Sequence, residues 1–126
     1  MNPIDSLFRR LRAEKRAAFM PFVTAGDPDL AFTRELLPAA AAAGADLMEV
    51  GFPFSDPIAD GPVISSAMHD AIARGCTPRE VFAEIRSAAP QCDAGIVAMI
   101  SMSLVHRLSV GKIAPWSAFP FITQCK

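Results

Sequence analysis

The sequence lacks the glycine-rich patterns that cradle a nucleotide phosphate. Neither G-x-G-x-x-G nor G-x-x-x-x-G-K-[ST] occurs, so neither a dinucleotide nor a nucleoside triphosphate site is indicated. A G-x-S-x-G motif, which places the nucleophile of many serine hydrolases, is also missing. These absences point away from three common classes of enzyme.

Cysteine and histidine are too few and too scattered to suggest a metal site. Cys76, Cys92 and Cys125 form no C-x-x-C pair, and their odd number does not suit a disulfide framework. His69 and His106 are isolated, so we interpret each as a surface or packing side chain. We therefore expect reduced thiols in a cytoplasmic protein without a bound metal.

Long apolar runs and a strong excess of one charge are also absent. The net charge is −1 and the pI is about 6.1, so nothing favours nucleic acid or an anionic membrane as a partner. The longest apolar run, near residues 94–100, is far shorter than the roughly 20 residues of a membrane span. The basic residues between 9 and 16 share their segment with Asp5 and Glu14 and precede no apolar segment, which favours a solvated helix face over a targeting peptide.

The segments that are present alternate in the manner of parallel βαβ units. Short apolar runs predict strands at residues 17–25, 45–51 and 95–101. Pro21 lies inside the first run, where it would remove a backbone donor, so that strand is expected at an edge. Helical spacing before and between these runs predicts a parallel sheet with right-handed crossovers.

Local signals predict where the helices begin and end. One helix is expected after Asn2, and another follows the turn at residues 26–28 and stops at Gly44. A third is expected to stop at Gly75, and the fourth starts at a capping box on Thr77.

Glu49 is the unusual residue of the second predicted strand. The run 45–51 is otherwise apolar, as in a strand that is buried on both faces. Because side chains alternate along a strand, Leu47, Glu49 and Gly51 share one face. No cation lies nearby in the sequence, so Glu49 must be paired with a distant group, neutralised, or functional.

A stiff, acidic loop follows that strand. Pro53 and Pro57 fix their backbone φ near −65°, which lowers the entropy cost of holding one loop shape and allows Asp60 to be aimed. Two carboxylates in unlike environments can divide acid and base roles, so Glu49 and Asp60 are a candidate pair. Plainer interpretations stay open: Asp60 has the position of a helix N-cap, and Asp56 that of a turn residue.

The stretch LMEVGFPFSDPIADGP, from Leu47 to Pro62, closely resembles the signature of the tryptophan synthase α chain family. PFVTAGDP, from Pro21 to Pro28, resembles the first strand and loop of that family. The likeness that we recognise runs from about Phe19 to about Arg107, and none is found beyond Val110.

This resemblance implies an incomplete barrel. A (β/α)₈ TIM barrel takes about 250 residues, whereas this chain has 126, which suits the N-terminal part of a barrel with about three βα units. We expect a partial barrel domain over residues 1–110. Residues 111–126 show no strand period and are expected to form a divergent tail, which a frame-shifted or alternative end would explain.

The resemblance also implies a function. Members of the tryptophan synthase α chain family are lyases that cleave indole-3-glycerol phosphate to indole and glyceraldehyde 3-phosphate, with no metal or organic cofactor. The acid–base role falls on Glu49, and Asp60 would stabilise the indole N–H as positive charge develops on the ring. Phe22 and Ile100 would line the substrate pocket.

A partner is implied as well. The resemblance places Pro53, Asp56 and Pro57 in the loop that faces the tryptophan synthase β chain. Met102 stands where we expect the family's tyrosine after the third strand, so one pocket contact is expected to differ.

Two other functions remain open. The chain could be a non-catalytic fragment that at most docks on the β chain, or another phosphate-sugar barrel lyase, which the specific SDPIADGP match disfavours. The late loops that hold the substrate phosphate in the family have no counterpart here. We therefore expect no turnover by the chain alone, and self-association through its open sheet edges.

Overall fold

Four short strands form one parallel sheet, and helices alternate with them along the chain. The computed structural model describes residues 3–107 and the backbone of residues 123–125. The strands are β1 (Phe22–Thr24), β2 (Leu47–Gly51), β3 (Gly95–Ile100) and β4 (Thr123–Cys125). The helices are α1 (Pro3–Ala13), α2 (Leu30–Ala42), α3 (Pro62–Ala73), α4 (Pro78–Ala88) and α5 (Met102–Arg107). The sheet order is β1-β2-β3-β4 with every neighbouring pair parallel, which confirms the predicted βαβ pattern.

Helix ends follow local chemistry closely. Thr77 and Glu80 form the predicted capping box at the start of α4, in which each side chain bonds the other's backbone N–H. Gly44 and Gly75 follow α2 and α3 with φ of 104° and 84°, as expected for a left-handed helix end. The cap of α2 is Asp29, whose Oδ1 accepts from the Phe32 N–H at 2.7 Å, and not the turn at residues 26–28.

The first strand is shorter than predicted. It spans only Phe22–Thr24, so Pro21 lies just before it and removes no donor from the ladder. The carbonyl of Pro21 still accepts from the Glu49 N–H at 2.9 Å. Because the β1 ladder begins one residue after Pro21, the predicted conflict between this proline and a strand does not arise.

The core lies between the sheet and the helices on its outer face. Met48 and Val50 of β2 are fully buried, and they belong to one apolar cluster with Leu37 of α2 and with Val81 and Ile85 of α4. Met48 and Val50 both point to this packed face, which explains why apolar side chains occupy alternate positions of β2. The opposite face of β2 carries Glu49, as the sequence predicted.

The last strand corrects one expectation. The backbone of Thr123–Cys125 pairs in parallel with residues 98–100 of β3, although no strand was predicted there. Three residues are too few to show a hydrophobic period, which explains the error. The division of the chain at residue 110 stays a prediction because residues 108–122 lie outside the described part of the structure. In the part described, no helix is both long and apolar enough to cross a membrane.

Candidate active site

A cavity of about 210 Å³ opens where β2 and β3 end. Its walls come from the ends of these strands, from the loop between β2 and α3, and from β1. In parallel α/β sheets this is the edge at which loops converge and sites are assembled. The predicted site residues that line the cavity are Phe22, Asp56, Pro57, Asp60 and Ile100.

Glu49 lies beside the cavity and not in its lining. It is half-buried in the middle of β2, and its neighbours across the sheet are Phe22 on β1 and Val97 on β3. Among the side chains that the structure describes, none forms an ion pair or hydrogen bond with the Glu49 carboxylate.

Asp60 occupies the wall of the cavity, and it is half-buried. The N-cap of α3 is Gly61, so the alternative interpretation of Asp60 as the cap residue is wrong. Pro62 at the first helical position explains the shift, because it needs no N–H partner and suits a glycine cap. The backbone of Asp60 is held by its N–H, which donates to the Pro57 carbonyl at 3.2 Å.

Two residues of α3 hold the loop that carries Asp60. The Ser65 hydroxyl donates to the Pro57 carbonyl at 3.2 Å, and a His69 ring nitrogen lies 3.2 Å from the Ser55 carbonyl. These positioning contacts were missed from the sequence, where His69 looked like an isolated surface residue. Both lie on one helix face at i and i+4, which is the signal that could have found them.

The end of β3 presents a different residue from the one expected. Met102 is the first residue of α5, is 45% exposed and does not line the cavity. Ser101, one residue earlier, does line it. The position after the third strand that matters for the pocket is therefore Ser101, and the expected effect of Met102 on a pocket contact finds no support.

The three residues predicted to face a partner differ in exposure. Asp56 is exposed, and its Oδ2 accepts from the Ser55 hydroxyl at 2.9 Å, whereas Pro53 and Pro57 are buried. Ile58, next to them in the loop, is 94% exposed. The outward surface of this loop thus includes Asp56 and Ile58, beside the exposed Ser55 and Ala59.

A second carboxylate on the same segment was missed altogether. Asp46, just before β2, is buried and accepts two hydrogen bonds from Arg16, at 2.8 and 2.7 Å, and one from the Phe19 N–H at 2.9 Å. The hydrogen bonds from Arg16 and Phe19 lower the pKa of Asp46 from 3.8 to about 2. The pKa of Arg16 is raised by the same contact.

No metal chemistry is suggested by the described part of the chain. It contains no group of three or more histidine, cysteine, aspartate or glutamate side chains that could hold a metal ion. Burial raises the pKa of both the Cys76 and the Cys92 thiol, which makes each a weaker nucleophile and ligand.

Comparison with protein families gives one assignment. A family described as tryptophan synthase alpha chain matches residues 8–125. The likeness therefore extends beyond both limits expected from the sequence, Phe19 and Arg107. The match to residue 125 agrees with the pairing of β4 with β3.

Individual relatives agree with the family. The tryptophan synthase alpha chain of Azoarcus is 50% identical over 86 residues, which are 68% of this chain and 32% of the relative. That of Rhodopirellula baltica is 43% identical over 115 residues, which are 89% of this chain and 41% of the relative.

Solved structures show the same fold. Tryptophan synthase subunit alpha from Legionella pneumophila has a TM-score of 0.82 at 33% identity, over 86% of this chain and 42% of that one. A ligand-free mutant form of tryptophan synthase from M. tuberculosis has a TM-score of 0.87 at 29% identity, over 98% and 51%. The chain thus spans about a third to a half of the length of these proteins.

Proposed function

Because the chain belongs to the tryptophan synthase alpha chain family, we propose that it carries the acid–base portion of a lyase site for indole-3-glycerol phosphate. The products would be indole and glyceraldehyde 3-phosphate. Its fold is the N-terminal part of a (β/α)₈ barrel. The observation that carries the proposal is the meeting of Phe22, Asp60 and Ile100 in one cavity, with Glu49, which has no partner among the described side chains, on the same sheet face.

The cleavage is a retro-aldol reaction, in which the bond between the indole ring and the glycerol phosphate side chain breaks. The step requires a proton at indole C3 and removal of a proton from the side-chain hydroxyl. One carboxyl group can give the first proton and take the second, and this role is assigned to Glu49. Its support is the lack of any competing partner among the described side chains.

Asp60 would act on the other side of the substrate. As C3 gains a proton, positive charge develops on the ring nitrogen, and a carboxylate that accepts from the N–H stabilises that charge. The position of Asp60 in the cavity wall, on a loop held by Ser65 and His69, supports this role. Pre-positioned groups are effective because they do not have to reorganise during the reaction.

The chain alone is not expected to turn over substrate. Binding energy from a remote group such as a phosphate helps to position the reacting centre. We assign the phosphate grip to late barrel loops, which lie beyond the third to half of the relatives' length that this chain spans. No metal or organic cofactor is needed for the step as written.

The decisive experiment completes the barrel. Residues 1–107 would be joined to the later half of a homologous alpha chain, and indole release would be measured for the hybrid and for its Glu49→Gln variant. We expect release in the hybrid and none above background in the variant, with equal circular dichroism spectra. Steady release by Glu49→Gln would overturn the assignment.

A matched control is available on α2. Glu35 is exposed there and does not line the cavity, so Glu35→Gln makes the same chemical change away from the site. Indole release by this variant should equal that of the unsubstituted hybrid. A similar loss in both variants would show that the effect of Glu49→Gln is not specific.

A second candidate function is docking on the tryptophan synthase β chain without catalysis. The observation that favours it is the surface of the loop after β2, where Asp56 is exposed and Ile58 is 94% exposed. An exposed apolar side chain beside a carboxylate suits a protein interface. Ile58→Asp should abolish co-purification with a β chain, whereas Glu49→Gln should not affect it.

A further inference from the structure

The ring of Phe22 lies directly over Gly51. A Cβ atom built at residue 51 would overlap Cζ of that ring, and would lie 3.0 Å from Cε2 and 3.4 Å from Cε1. Contacts below about 3.0 Å essentially never occur for real Cβ atoms, so any larger residue at 51 would displace the ring. The Phe22 ring can occupy this position only because residue 51 has no side chain.

Backbone conformation does not explain this glycine. Gly26, Gly44 and Gly75 have φ between 80° and 104°, in the left-handed region that favours glycine. Gly51 is not among the residues with positive φ, and it lies in a regular parallel ladder opposite Thr24. A glycine inside a strand often marks the close approach of another group, and here that group is the Phe22 ring.

The ring connects the carboxylate with the cavity. Phe22 is the neighbour of Glu49 across the β1–β2 ladder, and its ring extends to Gly51, two residues further along β2. Phe22 and Gly51 both line the cavity, whereas Glu49 does not. The position of the ring therefore sets the shape of the wall between the carboxylate and the cavity.

We propose that Gly51 is a positioning residue, which seats the Phe22 ring as a flat wall for the planar aromatic part of the ligand. The identity of that ligand as an indole rests on the proposed function. Offset or edge-to-face aromatic contacts favour a ring that is fixed in one orientation. A side chain at 51 would tilt the ring and remove this surface without touching the ligand itself.

The first test is a double-mutant cycle on the 126-residue chain, with indole as the probe and saturation-transfer NMR as the measurement. Gly51→Ala should weaken indole binding about fivefold to tenfold, the range expected for one lost aromatic contact. In a Phe22→Leu background the same change should alter binding by less than about twofold, because the ring through which Gly51 acts is gone. Equal losses in both backgrounds would overturn the proposal.

Gly95 provides the matched control. A Cβ atom there would lie 2.5 Å from Cδ1 of Leu47, so Gly95→Ala introduces a comparable overlap with a flexible side chain on a neighbouring strand. Gly95 lies at the start of β3, outside the cavity. Gly95→Ala should leave indole binding within about twofold of the unsubstituted chain, and a tenfold loss would mean that any such overlap disturbs the sheet.

A second measurement needs no ligand. One α-proton of Gly51 points in the direction of the built Cβ atom, and therefore at the Phe22 ring, so its NMR resonance should carry a ring-current shift that Phe22→Leu removes and Gly95→Ala leaves in place. Absence of this shift would overturn the seating of the ring. If the ring-current shift is present but indole does not bind, both the positioning role of Gly51 and the use of this cavity under the proposed function are overturned. The shift with indole binding that Gly51→Ala does not weaken would overturn the positioning role alone.

Discussion

The two ends of the sheet treat their carboxylates differently. At the end where β2 begins, Asp46 is buried and receives hydrogen bonds from Arg16 and from the Phe19 backbone. Asp60 belongs to the other end and Glu49 to the sheet face beside it, and among the described side chains none forms an ion pair or hydrogen bond with the Glu49 carboxylate. The hydrogen bonds that Asp46 receives stabilise its charged form and lower its pKa, so this carboxylate is bound into the structure and is not free for proton transfer.

The difference agrees with the division of labour in parallel barrels. Contacts at the N-terminal face of the strands serve stability, and residues at the C-terminal face serve chemistry. Arg16 and Asp46 connect the segment after α1 with the start of β2 across 30 residues of sequence. The opposite end instead presents an open cavity of about 210 Å³. Substitutions at the two ends should therefore separate stability from activity.

After the complete loss expected for Glu49→Gln, the largest effect is expected from Asp60→Asn in the completed barrel. An amide keeps the shape but loses the negative charge, so kcat should fall on the order of 10²–10⁴-fold, measured as indole release. The melting temperature should change little. Asp70→Asn, an identical change on the exposed side of α3, should leave kcat unaltered. If Asp60→Asn lowered the melting temperature but not kcat, Asp60 would stabilise the fold, as Asp46 does, and would have no role in the reaction.

Asp46→Asn should have the opposite profile. An asparagine keeps only one acceptor oxygen and no charge for the guanidinium of Arg16, and it places an NH2 donor against the donors that Asp46 now accepts from, so the melting temperature should fall clearly. Glu49→Gln should lower it less, because no described partner is lost. Thermal unfolding of both variants of the 126-residue chain, followed by circular dichroism, makes the measurement. A larger fall for Glu49→Gln would reverse the assignment of the two ends.

Acid should remove the same contribution without a substitution. Since the pKa of Asp46 is about 2 in the folded chain against an ordinary 3.8, its stabilising effect is fully present above pH 3.8 and is lost as the pH falls through about 2. The Asp46→Asn variant should lack this part of the acid response. Glu80, whose pKa is lowered by its bonds to Thr77, contributes in the same direction, so the difference between the two chains is the quantity to measure. Parallel curves below pH 4 would contradict the prediction.

Whether a feature of the fold or of the candidate site could be predicted depended on how far apart its residues lie in the sequence. The capping box at Thr77 and the helix end at Gly44 need only neighbouring residues, and both were predicted. The face on which Glu49 lies followed from strand alternation, and the structure agrees. Each of these features is specified within a few residues of the chain.

Features that depend on distant residues were missed. The absence of a nearby cation made Glu49 look exceptional, yet the cation of Asp46 lies 30 residues away, so closeness in sequence was a poor guide to pairing. The seat of the Phe22 ring on Gly51 and the pairing of β4 with β3 likewise require the assembled sheet. Ser101 was overlooked because a shift of one residue at the end of β3 changes which side chain enters the cavity.

The smallest effect is expected for an ion pair at the cavity end of the sheet. Arg74 at the end of α3 donates to Asp27 at 2.9 Å and to the Gly26 carbonyl at 3.3 Å, which joins the loop after β1 to α3. Both side chains are well exposed, at 43% and 38%, whereas in the pair of Arg16 and Asp46 the arginine is 48% exposed but the carboxylate only 6%.

Exposure should decide the outcome, because water and salt screen such a pair. Arg74→Gln should lower the free energy of unfolding by less than about 1 kcal/mol, and added salt should diminish the difference further. The effect of Asp46→Asn should exceed it at every salt concentration, since the Asp46 carboxylate is 6% exposed and also accepts from the Phe19 N–H. Urea unfolding of the two variants at low and high salt makes the comparison. The prediction would be contradicted if Arg74→Gln lowered the free energy of unfolding as much as Asp46→Asn does and salt did not change its effect. The ion pair at the cavity end would then stabilise the fold as strongly as the one at the start of β2.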